Sequence, residues 1–163
     1  MANKAIFKKD PDNRKLWVTR EFDAPVEKVW KAWTEREILD KWWAPKPWKA
    51  ETKEMNFTEG GIWLYSMLGL EGERHWSRVD IKTVVPGQSF SSTSKFSDEN
   101  GVPVDSMPGM GWFVQFFPTA TGTKVEVELS FATEASMNTM MQMGFEGGFT
   151  MGLNNLEELL ASE

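Results

Sequence analysis

The sequence predicts an α+β fold in which a curved antiparallel sheet of about seven strands packs around a long C-terminal helix. Two short helices follow the first strand, and after them the hydrophobic period changes from that of a helix to that of a strand. An amphipathic helix then ends the chain. A sheet with one apolar face and such a helix bury their apolar faces against each other, which gives the predicted architecture.

The segment from Arg20 to Pro45 contains the end of the first strand and both short helices. Pro25 suits the first turn of a helix, and Asp23 is the predicted cap ahead of it. The next apolar residues share one helical face: Val26, Val29, Trp30 and Trp33. Thr34 and Glu37 have the spacing of a capping box, which predicts that the second helix begins there.

Six further strands are predicted from alternating apolar residues and from the turn residues between them. They span about 48–57, 62–67, 73–84, 90–96, 112–117 and 124–131. The last alternates most regularly, with Val125, Val127 and Leu129 on one face and charged residues on the other. We expect one domain over residues 1–163, of which 1–13 form a flexible N-terminal segment.

The final helix is predicted over roughly residues 136–161 and contains a row of glycines. Gly144, Gly148 and Gly152 are four residues apart and therefore lie along one line of the helix, and Gly147 is a fourth. Each glycine costs about 0.5 to 1 kcal/mol relative to alanine inside a helix. Three explanations are open: the sheet packs closely on the helix, the helix breaks near Gly147 and Gly148, or a cavity separates helix and sheet.

Composition and charge exclude several classes of function. The chain has 163 residues, no cysteine and one histidine, so disulfides and a Cys/His zinc site within one chain are excluded, while carboxylate-only metal binding stays open. A net charge of -6 with dispersed basic residues argues against binding to duplex nucleic acid. The sequence contains no apolar run of signal-peptide or membrane-span length, so we expect cytoplasmic residence and no membrane span.

Several short motifs follow one another between about Leu16 and Leu160. They are Arg20-Glu21-Phe22-Asp23-Ala24-Pro25, Trp33-Thr34, Trp42-Trp43-Ala44-Pro45, Gly60-Gly61, Gly122-Thr123 and Gly152-Leu153. In these motifs and their order the chain resembles the family of activator-of-heat-shock-protein-90-ATPase homologues. That family is part of the START-like superfamily, which includes birch-pollen-allergen-like and polyketide-cyclase-like proteins.

The resemblance implies the helix-grip fold and favours the cavity explanation of the glycine row. Members of the family share a cavity-forming scaffold and differ in what they do with it. The family's turn before the paired glycines carries an acidic residue, an arginine and a proline, whereas this chain has Asn56-Phe57-Thr58-Glu59. A role that rests on an ion pair in that turn is therefore not carried over.

The predicted cavity lies between the curved sheet and the last helix and binds a small hydrophobic molecule, aromatic or lipid-like. Nine Trp, eleven Phe and ten Met supply a large and adaptable apolar lining. The predicted lining residues are Trp63, Tyr65, His75, Phe90, Trp112, Phe116, Met141, Phe145, Gly148 and Phe149. The irregular segment 97–110 is the candidate lid, with Met107 and Met110 as its exposed apolar tip.

Two basic residues, His75 and Arg20, are predicted to face the apolar side of the sheet. We find no Ser/His/Asp or Cys/His constellation in the sequence, so His75 is expected to be a polar group at the pocket and no catalytic residue is predicted. Arg20 needs a partner because an unpaired buried charge costs several kcal/mol. We expect it to clamp a carboxylate between its strand and a neighbouring element; the alternative is that it orients an acidic ligand.

Ligand binding is the first functional prediction, and two alternatives stay open. The first is a chaperone-associated interaction module with a role in the stress response, as the resemblance implies. The second is a polyketide-cyclase-like enzyme. No cofactor and no metal are predicted, and the expected partners are a small hydrophobic molecule and, in the first alternative, a chaperone.

Overall fold

The computed structural model describes residues 4–106 and 109–162, which form an eight-stranded antiparallel sheet and four α-helices. The strands are β1 (Ile6–Asp10), β2 (Lys15–Phe22), β3 (Lys49–Met55), β4 (Ile62–Leu68), β5 (Arg74–Val85), β6 (Ser89–Ser97), β7 (Met110–Pro118) and β8 (Thr123–Ser130). The helices are α1 (Val26–Thr34), α2 (Arg36–Trp42), α3 (Glu134–Gln142) and α4 (Phe145–Ala161). The predicted α+β helix-grip architecture is confirmed.

The strand order across the sheet is β1-β2-β8-β7-β6-β5-β4-β3. Strands β3 to β8 form a continuous meander, and β2 pairs with β8 although the two come from opposite ends of the chain. The connection from β2 to β3 therefore crosses from one side of the sheet to its far edge, and α1 and α2 make that crossing. This path places both helices over the concave face of the sheet.

The core lies between the concave face of the sheet and the helices. The alternating residues Leu16 and Val18 of β2 are buried, as are their β8 partners Leu129 and Val127. On α1, the ring of Trp30 meets Phe90 and Phe116 edge to face, with ring centroids 6.0 and 5.2 Å apart. Edge-to-face contacts of this kind add to the gain from apolar burial, so α1 is held on the sheet by aromatic packing.

The predicted helix caps do not form. The N-cap of α1 is Pro25, without a side-chain cap, so Asp23 does not cap this helix. The first helix continues through Thr34, whose hydroxyl donates to the backbone oxygen of Trp30 at 2.9 Å. Because that hydroxyl is directed into its own helix, it cannot cap α2, which has Glu35 at its N-cap and no side-chain cap hydrogen bond.

Residues 6–13 form a strand and a 3-10 turn, in the range where the sequence predicted a flexible segment 1–13; residues 1–3 lie outside the described part. Strand β1 pairs with β2 as an edge strand, and Phe7 packs partly buried against the core. Asp10 then caps a 3-10 turn at Pro11–Asn13 by accepting from the backbone N–H of Asn13. Because an edge strand tolerates charge on both faces, Lys8 and Lys9 follow Phe7 and interrupt the alternation of apolar and polar residues by which a strand is recognised in the sequence.

The single helix predicted over residues 136–161 is two helices, separated at Gly144. This glycine has a φ of 85°, in the left-handed region, and its N–H donates to the oxygen of Met141 at 3.1 Å. Only glycine adopts that conformation at little cost, and it is the usual terminator of a helix. A break near Gly147 and Gly148 was one of the three explanations of the glycine row, and the structure has a break at Gly144 instead.

Within the segment 97–110, the turn at residues 98–101 packs on the outer face of the sheet, away from the concave face. The oxygen of Gly101 accepts from Nη1 of Arg78 at 3.2 Å, and this turn covers Leu64, which points outward from β4 and is nevertheless 2 % exposed. Met110 is the first residue of β7 and is 5 % exposed, so its predicted place at an exposed lid tip was wrong. Met107 lies outside the described residues.

Candidate functional site

A cavity of about 260 Å³ lies between the concave face of the sheet and helices α3 and α4. Strands β4 to β7 provide its sheet wall, and α3, α4 and the turn after α2 provide the rest. Its lining residues are Trp43, Pro45, Tyr65, Met67, His75, Ser77, Ser94, Lys95, Phe96, Met110, Trp112, Met140, Met143, Phe145, Gly148 and Phe149. Most of them are aromatic residues or methionines.

Aromatic rings from the sheet and from α4 form the central wall of this cavity. The ring of Trp112 meets Phe149 and Phe145 with centroids 5.6 and 6.1 Å apart, and the two phenylalanine rings are 5.4 Å apart. Trp43, from the turn after α2, adds a ring 5.7 Å from Trp112. These rings offer flat apolar surfaces, against which another planar group can stack or pack edge-on.

A smaller void of about 50 Å³ lies deeper in the core, beneath α1 and α2. Four residues belong to the lining of both spaces and therefore form the partition between them: Trp43, Tyr65, Ser94 and Trp112. The void has room for only a few water molecules, whereas the larger cavity has room for an organic molecule. The larger cavity is therefore the candidate site.

Hydrogen bonds fix the polar groups of the partition. The indole Nε1–H of Trp43 donates to the hydroxyl oxygen of Tyr65 at 2.9 Å, and that of Trp112 donates to Oγ of Ser94 at the same distance. Burial raises the pKa of the Tyr65 phenol, and its hydrogen bonds with Trp43 and Ser77 oppose that shift without cancelling it. The phenol is therefore neutral at physiological pH.

The glycine row has three different functions in the structure. Gly144 breaks the helix, as described above. Gly148 lines the cavity, and a Cβ added to it would meet only Cγ of Pro45, at 3.9 Å. Gly152 instead allows α4 to approach the turn after α2, since a Cβ there would lie 3.2 Å from the backbone oxygen of Trp43. Gly148 therefore leaves room for a ligand, whereas Gly152, one helical turn further along α4, allows close packing.

The predicted lining residues divide into three groups. Six line the larger cavity: Tyr65, His75, Trp112, Phe145, Gly148 and Phe149. Trp63 and Phe90 line the inner void together with Tyr65 and Trp112. Phe116 and Met141 line neither space; Phe116 is buried against Trp30, and Met141 packs partly buried beside the core.

His75 lies at the rim of the cavity. It is exposed, and its ring centroid lies 5.3 Å from that of Trp48. Its predicted place as a polar group at the pocket agrees with this position. The exposure keeps the imidazole in contact with water instead of the apolar interior.

Sequence reasoning missed several lining residues, among them Trp43, Pro45 and Ser94. Trp43 and Pro45 belong to a motif that was recognised, but their adjacency to the cavity depends on how the turn after α2 meets α4. Asn155 of α4 fixes this meeting, because its Nδ2 donates to the backbone oxygen of Ala44 at 3.1 Å. Ser94 lies at even spacing from Phe90 and Phe96 on β6, so it shares their face of the strand, and that spacing is the signal that could have identified it.

Arg20 lines neither of the two spaces and has a structural partner. The side chain is 2 % exposed; Nη1 donates to Oδ1 of Asn154 at 2.9 Å, and Nη2 lies 3.2 Å from Oε1 of Glu157. The second contact is an ion pair whose angle falls outside hydrogen-bond geometry. The structure thus confirms the predicted clamp between β2 and a neighbouring element, which is α4.

The part of the chain that the structure describes contains neither a metal-binding cluster nor a membrane-spanning helix. Within 4–106 and 109–162, the acidic residues and the histidine do not form a group of three or more that could hold a metal ion. In the same ranges, the helices are too short or too polar to cross a membrane.

Comparison with known proteins gives the family. The model described as "Activator of Hsp90 ATPase homolog 1-like protein" matches residues 23–161. The chain belongs to this family. The match includes both short helices, the six strands β3 to β8 and both C-terminal helices, so it covers the whole cavity. A search of curated proteins finds no match.

Solved structures similar to this family member come from several bacteria. A protein from Arthrobacter aurescens is 28 % identical, with a TM-score of 0.91 over 97 % of this chain and 92 % of that chain. A protein from Mycobacterium smegmatis is 27 % identical, with a TM-score of 0.88 over 96 % of this chain and 97 % of the other. A protein from Staphylococcus epidermidis is 28 % identical, with a TM-score of 0.84 over 96 % and 93 %.

Proposed function

We propose that this family member binds a small hydrophobic molecule, aromatic or lipid-like, in the cavity between the sheet and α4. The observation that carries the proposal is the cavity itself: about 260 Å³, open to solvent at one side and lined mainly by aromatic rings and methionines. Ligand sites in proteins are usually preformed and mostly apolar, and have volumes of roughly 300 to 1,000 Å³. The cavity lies just below the lower end of that range.

Methionines make the wall of this cavity adaptable. Met67 and Met110 lie on the sheet side, and Met140 and Met143 lie on the side of α3. Methionine side chains are unbranched and polarizable, so they adjust to ligands of different outline. Burying this apolar surface under a ligand yields roughly 25 cal/mol per Å², which favours binding of apolar molecules over polar ones.

Titration with fluorene, a planar apolar molecule of three fused rings, tests this proposal. We expect saturable shifts of the indole N–H resonances of Trp43 and Trp112, because both rings line the cavity. Gly148→Leu should abolish these shifts by filling the cavity. Gly147→Leu is the matched control, since a Cβ added to Gly147 would have no neighbour within 4 Å and this residue does not line the cavity.

The proposal fails if fluorene, a long-chain fatty acid and a flavonoid all leave the emission and the amide shifts of the protein unchanged. It also fails if Gly148→Leu binds fluorene as tightly as the unmodified chain. In that case, the molecule would bind at another surface.

The family match favours a second candidate function, because its description names activation of the Hsp90 ATPase. A chaperone-associated module would change the ATPase rate of a purified Hsp90 when added to it. A change in that rate that persists in Gly148→Leu would indicate a chaperone role independent of the cavity. A rate that does not change with added protein would argue against the chaperone role.

A further inference from the structure

Three hydroxyl groups cross the concave face of the sheet on three adjacent strands. Tyr65 of β4 lies directly opposite Ser77 of β5 in the strand register. Ser94 of β6 lies opposite Val79, and it is therefore a diagonal neighbour of Ser77. All three hydroxyl residues line the larger cavity, and they provide its polar floor.

The hydrogen bonds of these hydroxyls have one direction. An indole N–H can donate but cannot accept, so the bonds from Trp43 to Tyr65 and from Trp112 to Ser94 each begin at an indole. Each hydroxyl that accepts such a bond still has one hydrogen to donate. In a series of hydrogen bonds that begins at an indole, each hydroxyl accepts one bond and donates its hydrogen to the next. The last hydroxyl of the series therefore keeps a hydrogen that is not donated.

Two hydroxyl hydrogens remain for a ligand by this accounting. The oxygen of Tyr65 accepts from Trp43, and the neighbouring hydroxyl of Ser77 lowers the pKa of the phenol, which is the effect of a donor, so the hydrogen of Tyr65 itself stays available. Ser94 accepts from Trp112, and within the described ranges its own hydrogen has no protein acceptor. Because unpaired polar groups in an apolar cavity are costly, a ligand that supplies an acceptor gains most here.

The charges of the lining residues further restrict which chemical group of a ligand can accept these hydrogen bonds. Among the described lining residues there is no carboxylate, and the two basic ones, His75 and Lys95, are exposed at the rim. An anionic carboxylate at the hydroxyl floor would lose its hydration without gaining a cation. A neutral carbonyl oxygen accepts the same hydrogen bonds at a far smaller desolvation cost.

We propose that the ligand is a planar, neutral aromatic molecule with a ketone-type or quinone-type carbonyl, whose oxygen accepts from the hydroxyls of Tyr65 and Ser94. The ring system packs against the cavity side of Trp112 and Phe149, and the carbonyl points to the floor formed by β4 to β6. This inference rests on the proposed function and deepens it, since it names the chemical class of the ligand.

Fluorenone and fluorene test the inference because they have nearly the same shape and differ by a carbonyl in place of a methylene. Tyr65→Phe and Ser94→Ala should each weaken fluorenone about three- to tenfold, the effect of one lost hydrogen bond, and leave fluorene affinity unchanged. Ser92→Ala is the matched control: Ser92 is on the same strand and faces the same side, but it lines the inner void alone. It should change neither affinity.

Infrared difference spectra supply a second readout that loss of packing does not reproduce. The carbonyl stretch of bound fluorenone should lie at lower wavenumber in the unmodified protein than in Tyr65→Phe with Ser94→Ala, because two hydrogen-bond donors are absent from that double variant. If fluorenone and fluorene lose affinity equally in the variants, or if the carbonyl band does not move, the inference is wrong while the proposed function stands. If neither molecule binds, the inference fails, and the titrations with a fatty acid and a flavonoid decide whether the proposed function fails with it.

Discussion

Tyr65 is the single tyrosine of the chain, so its ionisation can be followed without interference from a second phenol. Burial raises its pKa above the ordinary value of about 10. A group whose pKa is raised by folding contributes stability that is fully present below its unfolded pKa and lost as pH rises through its folded pKa. Tyr65 should therefore stabilise the fold at neutral pH and lose that contribution above about pH 10.

An alkaline titration followed by tyrosinate absorbance checks this prediction. We expect the folded protein to ionise at higher pH than the urea-unfolded protein, and its free energy of unfolding to fall more steeply above about pH 10 than that of Tyr65→Phe. Equal midpoints for folded and unfolded chains would show that water reaches the phenol freely.

Arg20 gives a second prediction at this scale, with two adjacent glutamates as a matched pair. Glu157→Gln removes the charge opposite a guanidinium that is 2 % exposed, and should cost about 2 to 4 kcal/mol of unfolding free energy. Glu158 pairs with Lys46 through side chains that are 72 % and 67 % exposed, so Glu158→Gln should change stability by less than about 0.5 kcal/mol.

Urea unfolding of the two variants at neutral pH measures the difference. Similar stabilities for both would mean that water or another group compensates the charge of Arg20. High salt should weaken the Lys46 pair and leave the Arg20 pair nearly unaffected, because screening acts mainly on exposed charges.

At the scale of the element, the same Gly→Leu substitution should have opposite effects on stability at different glycines of α4. Gly148→Leu should hold stability or raise it by up to about 1 kcal/mol, because the cavity accepts the side chain and a helix-interior glycine is removed. Gly147→Leu should give a similar gain. Gly152→Leu should lower stability by about 1 to 3 kcal/mol or more, because the added Cβ alone lies 3.2 Å from the oxygen of Trp43.

Thermal unfolding of the three variants checks this order. A lower midpoint for Gly148→Leu than for Gly147→Leu would show that the cavity closes in solution. A neutral Gly152→Leu would show that the turn after α2 can move away from α4.

The strands were predictable from the sequence more accurately than the helix ends. Strand β8 was evident because Val125 and Val127 alternate with charged residues on a half-buried sheet. The break at Gly144 was not, since α4 contains further glycines and only the tertiary contacts decide which one takes a positive φ. Phe145 packs on Trp112, and Gly152 packs on the turn after α2; together, these contacts fix where α4 begins.

At the scale of the whole molecule, ligand binding should stabilise the fold. A ligand present at a hundred times its dissociation constant adds about 2.7 kcal/mol, which for a chain of this size raises the melting temperature by roughly 5 to 10 °C. Fluorenone should produce this shift in the unmodified protein. A shift of the same size in Gly148→Leu would contradict binding in the cavity.

The site as a whole was only partly predictable. Tyr65, Trp112 and Phe149 were found because they lie at apolar positions of recognisable elements. The donors and acceptors that join Trp43, Tyr65 and Ser94 depend on strand register and on the turn after α2, which no local pattern encodes. Sequence therefore indicates which elements form a cavity, whereas the placement of its polar groups follows from the assembled sheet.

The aromatic packing around Trp43 has an optical consequence. Its ring centroid lies 5.2 Å from Trp42, 5.9 Å from Trp33, 5.4 Å from Trp63 and 5.7 Å from Trp112. At such separations excitation energy migrates among indoles faster than they emit, so these five of the nine tryptophans behave as one chromophore. A single quencher bound against Trp43 should therefore reduce the emission of all five tryptophans. The fluorescence of the protein then reports occupancy of the cavity with a larger signal than one tryptophan would give.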